Sequence, residues 1–129
     1  MCKYLTSLKI IDCKNFKRLP NELGNLEALE KLKVKGTAIR EVPKGIQDLS
    51  KLTSLDISYC GRLQTLPKLP CNLHYLNASV CTSLEALSAG LSSISVDLSV
   101  DLRDCLKLDP NEVSEIVKDG WMKQVCLLT

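Results

Sequence analysis

The stretch Leu52–Leu66, LTSLDISYCGRLQTL, decides how this chain is read. Its apolar residues fall on the template LxxLxLxxCxxLxxL at Leu52, Leu55, Ile57, Cys60, Leu63 and Leu66. Upstream the same template is met by Leu5, Leu8, Ile10, Cys13, Phe16 and Leu19, and downstream by Leu73, Leu76, Ala78, Cys81, Leu84 and Leu87. A looser copy lies between the first two, with Leu29, Leu32 and Val34 in place, Thr37 where cysteine would stand, and Ile39 and Val42 one residue early. A fifth copy is degraded: Val100, Leu102, Cys105 and Leu108 follow 24 residues after Leu76, Ala78, Cys81 and Leu84, while Asp97 replaces the first leucine. The first positions are 24, 23, 21 and 24 residues apart.

A period of this length with this leucine spacing is the signature of leucine-rich repeats. The expected fold is an α/β leucine-rich-repeat solenoid, with short parallel strands on the concave face and an irregular or short-helical convex side. Within each repeat the LxL core is a strand whose alternate residues point inward. One repeat offers five or six apolar side chains, about 1.5–3 kcal/mol each on full burial, against about 1–2 kcal/mol of backbone entropy for every residue ordered. Only stacking closes that balance. The return paths carry Pro20, Pro43, Pro67 and Pro70, which favour extended or turn backbone. Short helical turns are expected over 21–26 and 44–49, and none in LPKLPCNL.

The expected organisation is a solenoid of about five repeats over 1–108, the last one degraded, followed by a capping helix and tail over 109–129. Ser88 to Ser99 is serine-rich and reads as an irregular loop. Asp109-Pro110-Asn111-Glu112 resembles a capping box with proline at the first helical position. It predicts a helix from Pro110 to Lys118, with an extension to Met122 as the longer option. Val113, Ile116, Val117 and Trp121 form an apolar stripe able to cover the end of the stack. Residues 124–129 give no reading. The first repeat starts at residue 5 with nothing before it to cover its inner leucines, which predicts that the chain is part of a longer array.

Composition narrows the function classes. Aromatic residues make up only 4% of a chain that is 45% hydrophobic, so the core is aliphatic. Net charge is +2 and no half is strongly basic, so neither nucleic acid nor an anionic membrane is an expected partner. No apolar run approaches the roughly 18 residues of a membrane span, and MCKYLTSLKIID lacks a signal-peptide run. The chain reads as intracellular, cytoplasmic or nuclear. Its seven cysteines are odd in number and contain no CxxC pair, which argues against a disulfide framework or a zinc site. Cys13, Cys60, Cys81 and Cys105 share one repeat position, predicting a reduced, buried structural ladder interrupted at Thr37. No metal or cofactor is called for.

The residues that flank the inward leucines point to the concave face. They are Ser7, Lys9, Ile11 and Asp12; Lys31, Lys33, Lys35 and Gly36; Ser54, Asp56, Ser58 and Tyr59; Tyr75, Asn77, Ser79 and Val80; Ser99, Asp101, Arg103 and Asp104. Lys9, Lys31, Lys33 and Lys35 predict a basic patch at one end, with Asp56, Asp101 and Asp104 acidic further along and Tyr59 and Tyr75 as an aromatic pair between. With Asn77 and Arg103 these are the candidate ligand-binding residues, tyrosines being good anchors in a shallow concavity. Catalysis has little support. The single histidine, His74, has no nucleophile motif nearby, and Asp56 and Asp101 stand two repeats apart, roughly 10 Å by strand spacing.

Several strings match more than the general repeat. LPNELGNLEALEKL, GTAIREVP (Gly36–Pro43), LPKLPCNLHYLNASVCTSLEAL (Leu66–Leu87) and DCLKLDPNE (Asp104–Glu112) closely resemble the C-terminal leucine-rich repeats of plant nucleotide-binding leucine-rich-repeat immune receptors. The likeness is greatest to those with an N-terminal Toll/interleukin-1-receptor domain. It implies a protein-recognition module that senses pathogen effectors or contributes to autoinhibition, with an effector or the receptor's other domains as partner. The phosphate-loop motif GxxxxGK[ST] is absent from this chain, so nucleotide switching is not carried over. The alternatives are a protein-interaction scaffold without an immune role, and a truncated receptor remnant with no activity of its own.

Overall fold

The computed structural model describes residues 4–87, 91, 94 and 98–111, together with the backbone of 122–126. Six strands form one parallel sheet in chain order: β1 (Ser7–Lys9), β2 (Lys31–Lys33), β3 (Ser54–Asp56), β4 (Tyr75–Asn77), β5 (Leu98–Asp101) and β6 (Met122–Cys126). The pairing register is the one the template dictates. Leu8, Leu32, Leu55, Leu76 and Val100 lie side by side, flanked by the columns Ser7, Lys31, Ser54, Tyr75, Ser99 and Lys9, Lys33, Asp56, Asn77, Asp101. Because side chains alternate with period two, a one-residue slip would turn every leucine to water, so the leucines fix the register.

The ladder runs beyond the strands. The N–H groups of Ile10, Val34, Ile57 and Ala78 donate to carbonyls of the next repeat at Lys33, Asp56, Asn77 and Asp101. The chain then turns a corner on a residue of positive φ in every repeat: Asp12, Gly36, Tyr59, Val80 and Asp104. Glycine adopts that conformation freely and aspartate tolerates it, whereas tyrosine and β-branched valine hold it at a cost. At Gly36 the corner is also tight, since an added Cβ would stand 2.5 Å from the Asp12 carboxylate.

On the convex side, 3-10 helices span Asn21–Asn25 and Lys44–Asp48, inside the two segments where helical turns were expected. Each follows a proline whose carbonyl accepts the N–H three residues on, Pro20 from Leu23 and Pro43 from Ile46. The third return keeps only that single turn, Leu73 donating to Pro70. Successive returns pack closely: a Cβ on Gly24 would come within 2.6 Å of the Gly45 carbonyl oxygen, so the first helix needs glycine there.

The core is one aliphatic column. Leu29, Leu52, Leu55, Ile57, Leu63, Leu73, Leu76 and Leu84 are fully buried, while Leu5, Leu8, Ile10 and Phe16 of the first repeat are only partly covered. No helix among the described residues is long and apolar enough to cross a membrane.

The C-terminal part departs from expectation in places. Within the expected loop, Leu91 and Ile94 are buried and Leu98–Ser99 open β5; its other residues, and Asp97, lie outside the described residues. Leu98, one position past the degraded first-leucine site, is fully buried. Of the expected helix only Pro110 and Asn111 are described, and both are helical; Asp109 accepts the Asn111 N–H at 2.9 Å. Val113, Ile116, Val117 and Trp121 fall outside the described residues. The longer option fails at Met122, which begins β6. Gln124–Cys126, at the start of the segment that gives no reading, thus belong to a sixth strand, parallel to β5 with one irregularity in register. Its hydrogen bonds to the sheet edge outweigh a local sequence that carries no leucine template.

Candidate functional site

The sheet register brings part of the predicted surface together. Lys9, Lys31, Lys33, Asp56 and Tyr75 line one concave cavity of about 310 Å³ spanning β1 to β4. Lys9 and Lys31 are exposed, and Lys33 reaches Asp56 only at 3.9 Å, a long contact that contributes little in solvent. Tyr75 forms one wall with 39% of its surface free. Burial pushes its phenol up, the Asp56 carboxylate adds to that, and a hydrogen bond from Asn77 works against it.

The acidic column is less available than the sequence implies. Asp56 Oδ1 accepts the Ser58 N–H at 2.9 Å. Asn77 Oδ1 accepts both the N–H and the hydroxyl of Ser79, at 3.0 and 2.7 Å. Asp101 Oδ1 accepts the Arg103 N–H at 3.1 Å, and its other oxygen takes the guanidinium Nη2 at 2.6 Å. Each is an Asx turn that leads the chain from strand into the positive-φ corner. Asp56 and Asp101 are correspondingly buried, not solvent-facing. The Arg103 hydrogen bonds hold the Asp101 carboxyl below the usual carboxylate value, with burial partly opposing them. The signal was legible as Asp or Asn at the last strand position, two residues before the turn donor. Lys9 and Lys33 occupy that column in the first two repeats and have no such acceptor.

Tyr59 and Tyr75 are not one aromatic pair. Tyr59 sits on the corner and is 55% exposed, with the Lys35 ammonium 5.4 Å from its ring centroid. Both belong to a second cavity, about 440 Å³, whose other charged walls are Asp12, Lys14 and Arg62. Alternation fails here because the corner residue leaves the strand conformation.

The cysteine position divides by depth. Cys60 and Cys81 are buried, Cys105 is half-buried and Cys13 is exposed. The thiols of Cys60, Cys81 and Cys105 donate at 3.0 Å to the preceding repeat's carbonyls of Val34, Ile57 and Ala78. Each thiol thus ties one coil to the one before it. Thr37 stands in the gap, its hydroxyl 3.4 Å from the Cys60 sulfur. Cys13 departs from the expected burial because no earlier coil among the described residues covers it; it reaches only its own Ile11 carbonyl, at 3.5 Å. Burial pushes the Cys81 thiol far above its ordinary value and raises that of Cys105. All five described cysteines are free.

A family model described as "Disease resistance protein RPS4B-like, leucine-rich repeats" matches residues 23–111. Disease resistance protein RPP2B of Arabidopsis thaliana is 34% identical over 128 residues, covering 96% of this chain and 10% of its own length. Disease resistance-like protein DSC1 of the same plant is 33% identical over 126 residues, covering 95% of this chain and 10% of its own. Disease resistance protein RPS4B, also from Arabidopsis thaliana, is 31% identical over 112 residues, covering 71% of this chain. The chain spans about a tenth of the length of these curated relatives.

Proposed function

The chain belongs to the leucine-rich repeats of RPS4B-like disease resistance proteins, and from that premise we propose that its concave face recognises a protein partner. The partner is a pathogen effector or another domain of the receptor, and the site of action is the cytoplasm or nucleus. The observation that carries this reading is the cavity across β1–β4, which exposed Lys9 and Lys31 line at one end and Tyr75 at the other. These cations are free to meet an acidic surface, whereas the carboxylates of β3 and β5 are taken up by their own turns. An aromatic wall among cations is a common kind of interface anchor, and the basic field favours an acidic partner's approach.

The test replaces Lys31, Lys33 and Tyr75 by alanine in a receptor carrying these repeats, expressed in leaf tissue with and without effector. Sensing through this face predicts loss of the effector response. Restraint through this face predicts a response without effector. An unchanged receptor in both conditions, with protein levels maintained, overturns the proposal.

A further inference from the structure

A cavity of about 500 Å³ lies away from the concave face, along the descending side of the repeats. Its charged walls are Lys17, Arg18, Arg40 and Arg62 against a single carboxylate, Glu41. All four cations are exposed, and among the described residues none has an ion-pair partner. This cavity shares Ala38 and Arg62 with the one holding Lys14, Lys35 and Tyr59, so the two form one continuous groove around Arg62. The cationic excess is regional: residues 1–65 carry 12 Lys and Arg against 7 Asp and Glu, in a chain whose net charge is only +2.

We propose that this lateral groove docks an acidic segment of another protein. Crowding like charges on neighbouring coils costs stability. The backbone lines up Arg40, Gln64 and Glu85 in successive coils, because Gln64 N–H donates to the Arg40 carbonyl and Glu85 N–H to that of Gln64. The charge in that column passes from positive to negative along the stack, so an occupant meets cations only beside the first three repeats. Arginine forks match carboxylates bidentately. Asp12 and Glu41 within the groove argue for a peptide over nucleic acid. A phosphate backbone presents unbroken negative charge, while a peptide can set an N–H or a lysine opposite each wall carboxylate.

Tyr59 supplies a second, independent pointer. It holds φ 59° at the rim of the groove while 55% exposed, so the core does not need its ring. The repeat sets that backbone at every corner, so what is particular to this one is a large exposed ring at the rim of the groove. The ring, with Lys35 over it, offers a platform for an apolar or aromatic residue of the docked segment.

The experiment uses the 129-residue chain and a fluorescein-labelled peptide of alternating glutamate and leucine with one tryptophan, read by anisotropy across a salt series. Controls are a glutamine-for-glutamate peptide and a single-stranded oligonucleotide of equal charge. The wild-type chain is expected to bind the acidic peptide in preference to both. The double substitution R40E and R62E should weaken peptide binding at least tenfold and flatten its salt dependence, with the milder pair R40Q and R62Q intermediate. The pair K44A and K51A, at exposed cations that line neither the groove nor the concave cavity, should leave it unchanged, which separates a defined groove from general attraction to surface charge. Equal affinity for wild type and R40Q/R62Q, or tighter binding of the oligonucleotide than of the peptide, overturns the proposal.

Discussion

The first repeat, Leu5–Leu19, and the third, Leu52–Leu66, fill the same fifteen-residue template position for position, yet their residues do different work. In the third, Leu52, Leu55, Ile57 and Cys60 are fully buried between neighbouring coils. In the first, Leu5, Leu8 and Ile10 are covered on one side only and Cys13 is exposed. The last strand position differs too: Asp56 bends back to its own turn, while Lys9 extends over the concave cavity. A repeat letter therefore has no fixed energetic value. What is stacked on it decides whether it is core, turn or surface.

The largest expected contrast is in the leucines. Leu55→Ala empties a site enclosed by β2 and β4 and should lower unfolding stability by about 3–5 kcal/mol. Leu8→Ala removes a half-covered side chain and should cost about 1–2 kcal/mol. Urea denaturation followed by circular dichroism measures both. Equal losses would show that the first coil is as tightly enclosed as the third and would break the comparison.

Next comes the column of Lys9 and Asp56. Asp56→Ala leaves the buried Ser58 N–H without its acceptor and should cost about 1–3 kcal/mol, while Lys9→Ala should stay within about 0.5 kcal/mol. Asp56→Asn keeps the Oδ1 acceptor and discards the charge, so it should restore most of the loss. If asparagine proves as harmful as alanine, the contact with Lys33, and not the Asx turn, is what Asp56 provides.

The cysteines give a smaller contrast with a direct chemical readout. Iodoacetamide applied to the folded chain, followed by peptide mapping, should label exposed Cys13 and Cys71 first and spare Cys60 and Cys81 until urea opens the stack. Cys60→Ala should cost about 1 kcal/mol through its lost contact with the Val34 carbonyl, and Cys13→Ala close to nothing. Early labelling of Cys60 would contradict the buried ladder.

These contrasts mark how far the sequence could be read. Repeat spacing carried the strand register, the strand columns and the two short helical turns, because leucine burial and proline geometry act locally and identically in each coil. The Asx turns are legible only as a recurrence, Asp or Asn at the last strand position of three repeats, since each of Asp56, Asn77 and Asp101 taken alone looks like a free surface polar residue. The aromatic pair was misread for a related reason: Tyr59 stands on a left-handed residue, where strand alternation no longer tells direction. The strand at Met122–Cys126 was hidden because the sheet edge, not its own sequence, selects it. The lateral groove lies beyond the strand half of the template: Lys17 and Arg40 follow the inward Phe16 and Ile39, while the third repeat has Gln64 after Leu63 and carries its cation, Arg62, just before it.

The smallest effect sits at the corner, where Asp12 and Tyr59 hold the same left-handed backbone, at φ 56° and 59°. Aspartate and asparagine tolerate that conformation, so Asp12→Asn should leave stability unchanged. Tyrosine does not, so Tyr59→Asn should relieve strain and raise stability by about 0.5–1 kcal/mol, less whatever the Lys35 contact contributes. The same substitution removes the platform at the rim of the lateral groove. A stabilised chain that binds the acidic peptide more weakly would mean that the strain at Tyr59 serves recognition. A stabilised chain with unchanged binding would confine the groove's contribution to its cations, and a destabilised one would show that the ring supports the corner after all.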